Sequence, residues 1–244
     1  MQDMEAEYYR EFEQEVRMMM NLHHKGVIQF IGASRVPGKL AILTEFMSQG
    51  SVQKLVEGPP IDFGLKVKII KDIAEALEYL HSNNILHRDI KAENVLVVST
   101  SKDAIVNVKL ADFGTARSAT EQVTSKFTKG VGTPAYMAVG TVMSYIPMYM
   151  PNDYIEILKN EKYERSADVY SFAILMWAVV EQKQPYADFK YAWDVADFVI
   201  QGKRLQIPDT CPKVLQDLIS QCWAQNPDDR PLMSEVVKKL SELK

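Results

Sequence analysis

His87-Arg88-Asp89-Ile90-Lys91-Ala92-Glu93-Asn94 is followed, after two short apolar runs, by Asp112-Phe113-Gly114. The runs are Val95 to Val98 and the alternating Val106, Val108 and Leu110; both have strand character, and the polar stretch Ser99 to Ala104 supplies a turn between them. An antiparallel pair joined this way returns its second strand to the end where the first began, so Asn94 and Asp112 are expected side by side. An amide and a carboxylate sharing one mouth are the hard oxygen donors that suit Mg²⁺, which completes its shell with water and substrate phosphates. Asp89 stands five positions before Asn94, where it is placed to accept a proton from a substrate hydroxyl. Lys91 brings positive charge to a transferring phosphoryl group. The constellation reads as phosphoryl transfer; taken singly, the same residues would pass for ordinary loop and cap positions.

The order His-Arg-Asp-x-x-x-x-Asn, then Asp-Phe-Gly, resembles the protein-kinase signature, and the resemblance covers nearly the whole chain. Lys91 resembles the serine/threonine-directed form. Val27-Ile28-Gln29-Phe30-Ile31-Gly32 and Ala167-Asp168-Val169-Tyr170-Ser171-Phe172 resemble the tyrosine kinase-like branch of the serine/threonine kinases. The resemblance implies an α+β, bilobal fold: a truncated N-lobe over residues 1–47, with a regulatory helix and two strands, and a mainly helical C-lobe over 48–244. It also implies ATP and Mg²⁺ as cofactors and protein Ser or Thr hydroxyls as substrates. Asp89 is then the base, Lys91 the charge stabiliser, and Asn94 and Asp112 the metal ligands. Thr44 falls at the back of the nucleotide pocket, the backbone of Glu45 and Met47 would hydrogen-bond adenine, and Leu96 would floor it. Glu15 aligns with the helix glutamate that pairs with a strand lysine, and Asp168 with a brace for the catalytic loop. Arg88 would receive a phosphate placed on Thr124, Ser125 or Thr128 by an upstream kinase.

Two departures from the family pattern stand out. No lysine precedes Lys25, and no glycine-rich loop precedes the first helix. Losing one preorganised donor commonly costs about 3 to 4 kcal/mol of transition-state stabilisation. The alternative reading is therefore a catalytically impaired pseudokinase or interaction module. Farther on, Gly132-Thr133-Pro134-Ala135-Tyr136-Met137-Ala138 resembles the end of the activation segment, where Pro-Glu should follow; Val139-Gly140 stand there instead. The pattern resumes at Glu156-Ile157-Leu158, so residues 139–154 look inserted, and Glu156 is the expected partner of Arg230.

The remaining sequence describes scaffold. Tyr8 or Tyr9, Phe12, Val16, Met19 and Met20 recur at helical spacing, as do Leu65, Ile69, Ile73, Leu77 and Leu80. Val27 to Ile31 and Leu40 to Phe46 read as strands around a Pro37-Gly38 turn, and His23-His24 as a surface turn, because adjacent histidines make a poor ligand set. Ser166 is an expected helix cap, and the apolar run Phe172 to Val180 implies burial on all sides. Val214, Leu218 and Cys222, with Leu215, Ile219 and Trp223, mark another core helix, and Pro231 is expected to start the last. The 244 residues, 47% hydrophobic and 25% charged, suit a soluble globular chain able to bury a sizeable core. A net charge of -4 makes no case for nucleic acid or anionic membrane. Two cysteines argue against a disulfide framework, and the apolar run Phe172 to Val180 is far short of the roughly 20 residues a membrane span needs. A cytoplasmic protein is expected.

Overall fold

Helical periodicity at the start of the chain becomes α1 (Gln2–Met20) in the computed structural model, which describes residues 2–36, 39–118, 133–138 and 165–243. The Pro37-Gly38 turn, Thr124, Ser125, Thr128, residues 139–154 and Glu156 lie outside the described residues. Phe12, Val16 and Met19 of α1 are buried, while Tyr8 and Met20 are more than half exposed, so its inward stripe is narrower than the spacing predicts. β1 (Phe30–Val36) and β2 (Lys39–Thr44) pair antiparallel, from Val36 opposite Lys39 to Phe30 opposite Thr44. Both strands are displaced from their expected bounds. Val27 bridges in parallel to Leu110, and the Glu45 amide leaves the ladder to bond the Gln29 carbonyl at 3.0 Å. His24 stacks on Tyr79 with ring centroids 4.8 Å apart.

Gly50 turns the chain into α2 (Val52–Val56) at φ +80°, where a side chain would also collide with Lys54. α3 (Phe63–Ser82) is capped by Asp62, whose carboxylate accepts from the Gly64 amide at 2.7 Å. Leu65, Ile69, Ile73, Leu77 and Leu80 are all buried, as the periodicity requires. β3 (Ile85–Leu86), β4 (Val95–Val97), β5 (Val108–Leu110) and β6 (Arg117–Ser118) follow. β3 pairs with β6 and β4 with β5, both antiparallel.

α4 (Arg165–Glu181) is buried continuously from Ala167 to Val180, the burial on all sides that its apolar run implies. Ser166 lies inside this helix instead of capping it, and the Arg230 guanidinium holds its carbonyl at 3.0 Å. α5 (Ala192–Ile200), α6 (Lys213–Cys222) and α7 (Met233–Ser241) complete the helical part. Leu215, Leu218, Ile219 and Cys222 of α6 are buried, but Val214 is half exposed because it falls on the flank of the stripe. α7 begins two residues after Pro231, where the Glu235 carboxylate accepts from the Leu232 amide at 2.9 Å. One contiguous core runs from Met19 to Leu240, with α3 packed against α4, α7 and β5. Cys211 and Cys222 are both free thiols. Among the described residues no helix is long and apolar enough to cross a membrane.

Candidate active site

The hairpin brings its two ends to one mouth. Val95 stands opposite Leu110, and the Ala111 amide donates to the Asn94 carbonyl at 2.8 Å, so Asn94 and Asp112 leave the ladder as neighbours. Two more hydrogen bonds keep β5 in place from the other side, Leu110 N–H to Gly26 O at 2.8 Å and Ile28 N–H to Leu110 O at 2.9 Å, and the neighbouring loop is itself closed by Val27 N–H to His24 O at 3.1 Å.

Around Asp89 the side chains converge. Asn94 Nδ2 donates to the Asp89 backbone carbonyl and to its Oδ2, each at 2.9 Å. Both amide protons are thereby used, which leaves the Asn94 side-chain oxygen as its free acceptor. Lys91 Nζ lies 2.7 Å from Asp89 Oδ2 and donates to Thr133 Oγ1 at 2.8 Å, and the Thr133 hydroxyl donates in turn to Asp89 Oδ1 at 2.9 Å. Thr133 is a site residue that the sequence does not single out by itself; its one signal is its place in Gly132-Thr133-Pro134, within the motif that resembles the end of the activation segment. The segment carrying it is anchored by Ser171 of α4, whose hydroxyl donates to the Tyr136 carbonyl at 2.7 Å.

The loop before Asp89 is held from below. Asp168, fully buried in the first turn of α4, accepts from the His87 amide at 3.0 Å, the Arg88 amide at 2.9 Å and His81 Nε2 at 2.9 Å. Burial alone would raise its pKa, but the His81 hydrogen bond, the neighbouring histidines and the Arg88 amide hold it below the ordinary value. These contacts fix Arg88 at φ +72°, a conformation side chains disfavour. The expected brace is in place.

Asp112 is exposed at the mouth with φ +63°, and its Oδ1 accepts from the Gly114 amide at 3.3 Å. Behind it Phe113 is fully buried, edge-on to the His87 ring at 5.1 Å. Glu15 of α1 looks toward the same place: a Cβ built on Gly114 would lie 3.7 Å from its carboxylate. Burial, then the charge of Asp112, raises the Glu15 pKa, and Arg117 opposes this. The Asp112 carboxylate and the Asn94 amide oxygen, on residues that leave the hairpin side by side, are hard oxygen donors, so the residues present fit Mg²⁺.

The nucleotide-side residues divide. Thr44 and Leu96 are half-buried, and Leu96 is set beside the connecting segment by the bridge to Ser51 and by the Val97 amide donating to Gly50 O at 2.7 Å. Met47 packs against the core, with its carbonyl accepting from Gly50 N–H at 3.4 Å. Glu45 keeps one backbone group for the adenine contact. Its amide is already spent on Gln29, so only its carbonyl remains for a base. Its carboxylate accepts from the Gln29 amide at 2.8 Å and from Lys109 Nζ at 2.5 Å, a tie the sequence did not announce.

A carboxylate oriented beside a lysine, with two oxygen donors at the next turn, on this order of strands and helices, defines the phosphoryl-transferring class of protein-kinase folds. The family model described as protein tyrosine and serine/threonine kinase matches residues 1–240, and the chain belongs to that protein kinase family. Serine/threonine-protein kinase STY17 of Arabidopsis thaliana is 36% identical over 98% of the chain and 38% of its own length. Serine/threonine-protein kinase STY46 of the same plant is 34% identical with the same coverage. A probable serine/threonine-protein kinase of Dictyostelium discoideum is 34% identical over 96% of the chain and 15% of its own length. The chain thus spans well under half the length of the curated relatives it matches.

Proposed function

We propose that this chain transfers the γ-phosphoryl group of ATP to Ser or Thr hydroxyls of protein substrates, with Asp89 as the proton acceptor. The observation that carries the reading is the Asp89 carboxylate gripped by Asn94, Lys91 and Thr133. Thr133 displays the contact a substrate would make, a hydroxyl donating to Asp89 Oδ1 at 2.9 Å. Lys91, shared between Asp89 and Thr133, supplies a cation beside the phosphoryl oxygens. Asn94 and Asp112 would hold Mg²⁺, which when bound neutralises charge on the phosphate oxygens. Thr44, the Glu45 carbonyl, Met47 and Leu96 would line the adenine side.

The tyrosine kinase-like branch belongs to the same reading, supported by the motif Ala167 to Phe172 with Asp168 in its bracing position. So does an upstream kinase acting on Thr124, Ser125 or Thr128, with Arg88 as the phosphate's partner. A reducing, cytoplasmic setting is supported by the two free thiols.

The test is phosphate transfer from labelled ATP to a generic Ser/Thr protein substrate by the full chain. Asp89→Asn should lower kcat by about 10² to 10⁴, the usual worth of a positioned base, without lowering the melting temperature. A variant that keeps the wild-type rate would overturn the assignment.

A further inference from the structure

α3 carries one residue that its pattern does not call for. Asp72 sits among Ile69, Ile70 and Ile73, all at most 1% exposed, and is itself only 7% exposed. Among the described residues no cation pairs with it; Lys25, the nearest positive influence, is engaged with Glu75 at 2.7 Å. A carboxylate buried without a counter-ion is costly, and a leucine would fill the position without that cost. The carboxylate does what leucine cannot. Its Oδ2 accepts from two successive backbone amides, Asn107 at 2.6 Å and Val108 at 3.3 Å.

Those amides are where β5 begins. Asn107, fully buried, also closes the hairpin loop: its side chain donates to the carbonyls of Ser99 and Ser101, each at 2.8 Å, and its own carbonyl accepts from Val98 and Ser99. Asp72 therefore fastens the hairpin to α3 at the end away from the mouth. The β4–β5 ladder has only three residue pairs, and the bonds of Leu110 to Gly26 and Ile28 and of Ala111 to Asn94 hold the mouth end of β5, so the two bonds to Asp72 are what ties its other end to α3 against sliding along the strand axis. A one-residue slip would carry Asp112 by about 3.3 Å and reverse its facing.

We propose that Asp72 is a positioning residue for the metal-binding end of the hairpin: by fixing β5 lengthwise it sets where the Asp112 carboxylate stands relative to Asn94. This rests on the reading of Asn94 and Asp112 as metal ligands. Asp72 touches neither metal nor substrate, and its effect is transmitted through the strand.

The experiment compares Asp72→Leu, which removes the acceptor at similar volume, with Asp72→Asn, which keeps an acceptor oxygen in reach of both amides. Calorimetry of ADP binding across a Mg²⁺ titration, with hydrogen exchange at residues 107 and 108, is the readout. Asp72→Leu should raise the Mg²⁺ concentration at half-maximal binding by about tenfold, the lower end for loss of a residue orienting a metal ligand. Exchange at residues 107 and 108 should speed up, ADP binding without metal should stay as in wild type, and Asp72→Asn should behave like wild type in all three. Should Asp72→Leu fail to fold, Asp72→Ser, too short to reach both amides but leaving room for water, should shift the Mg²⁺ midpoint in the same direction by less. A folded Asp72→Leu or Asp72→Ser with the wild-type midpoint overturns the proposal, as does an Asp72→Asn as impaired as Asp72→Leu. Asp112→Asn is the control that separates the two ideas: if it leaves Mg²⁺-dependent binding intact, the ligand reading fails and takes this inference with it. If it abolishes that binding while Asp72→Leu does not disturb it, only the inference fails.

Discussion

β4–β5 and β1–β2 are both isolated antiparallel pairs, yet Val95, Val97, Val108 and Leu110 are at most 1% exposed, whereas Ile31, Val36 and Leu43 are 54% to 60% exposed. Two strands alone are marginal in water, so each pair takes its stability from what covers it. The short hairpin is enclosed by α3 and by the Gly26 to Ile28 segment, and it carries the candidate metal ligands. The longer pair turns Phe30 and Ile42 toward the core and leaves its other face to solvent. Rigidity therefore follows coverage, not strand length, and the side chains that must hold a fixed geometry stand on the covered pair.

The largest effect is expected below the catalytic loop. Asp168→Ala would strip the acceptor from two buried backbone amides and from His81, at a cost of about 3 to 5 kcal/mol, in line with breaking a buried charged network. Denaturant unfolding measures this. A loss below about 1 kcal/mol would show that water can replace the carboxylate, and that the loop is less dependent on α4 than its contacts imply.

The contrast between the pairs is tested directly by truncation. Val95→Ala, at a fully buried position, should cost about 2 kcal/mol in lost burial and residual cavity, while Leu43→Ala should stay within about 0.5 kcal/mol. Equal losses at the two positions would break the comparison. That outcome would mean that the open face of β1–β2 is covered in solution.

What the sequence made legible follows the same division. The hairpin could be read because its signal is local: two apolar runs, a polar turn, and ligands at fixed offsets from both. α3 and α4 were equally plain, since a stripe of Leu and Ile or an unbroken apolar run states its own burial. Asp72, Thr133 and the carboxylate of Glu45 were not legible in the same way. Their partners lie 35, 44 and 64 residues away, and no spacing rule relates such positions until the fold has brought them together. Val214 and Ser166 were misplaced for a smaller reason, one position at the edge of a stripe or a helix, where periodicity is least decisive.

The smallest effect concerns protons at the junction of loop and hairpin. His87 Nε2 lies 3.0 Å from the Ala111 carbonyl and so carries the hydrogen, while Nδ1 faces the Asp89 amide at 3.4 Å and must accept. A second proton would set a donor against that amide. Burial lowers the pKa of His87 from 6.5, and burial followed by the Lys25 charge lowers that of His24, whose Nδ1 accepts from the Gly26 amide. Below pH 6.5 the unfolded chain therefore binds protons that the folded chain refuses, so stability is held above that pH and lost as pH falls through it. Each histidine should remove less than about 1 kcal/mol between pH 7 and pH 6. His24→Gln, remote from Asp89, should reduce the slope of the urea midpoint against pH without abolishing it, because His87 keeps its own contribution. Nitrogen chemical shifts should keep His87 as the neutral Nε2–H form across that interval. A ring that titrates there at the ordinary value would mean that water reaches the loop, and that the enclosed region is no drier than the open pair it is contrasted with.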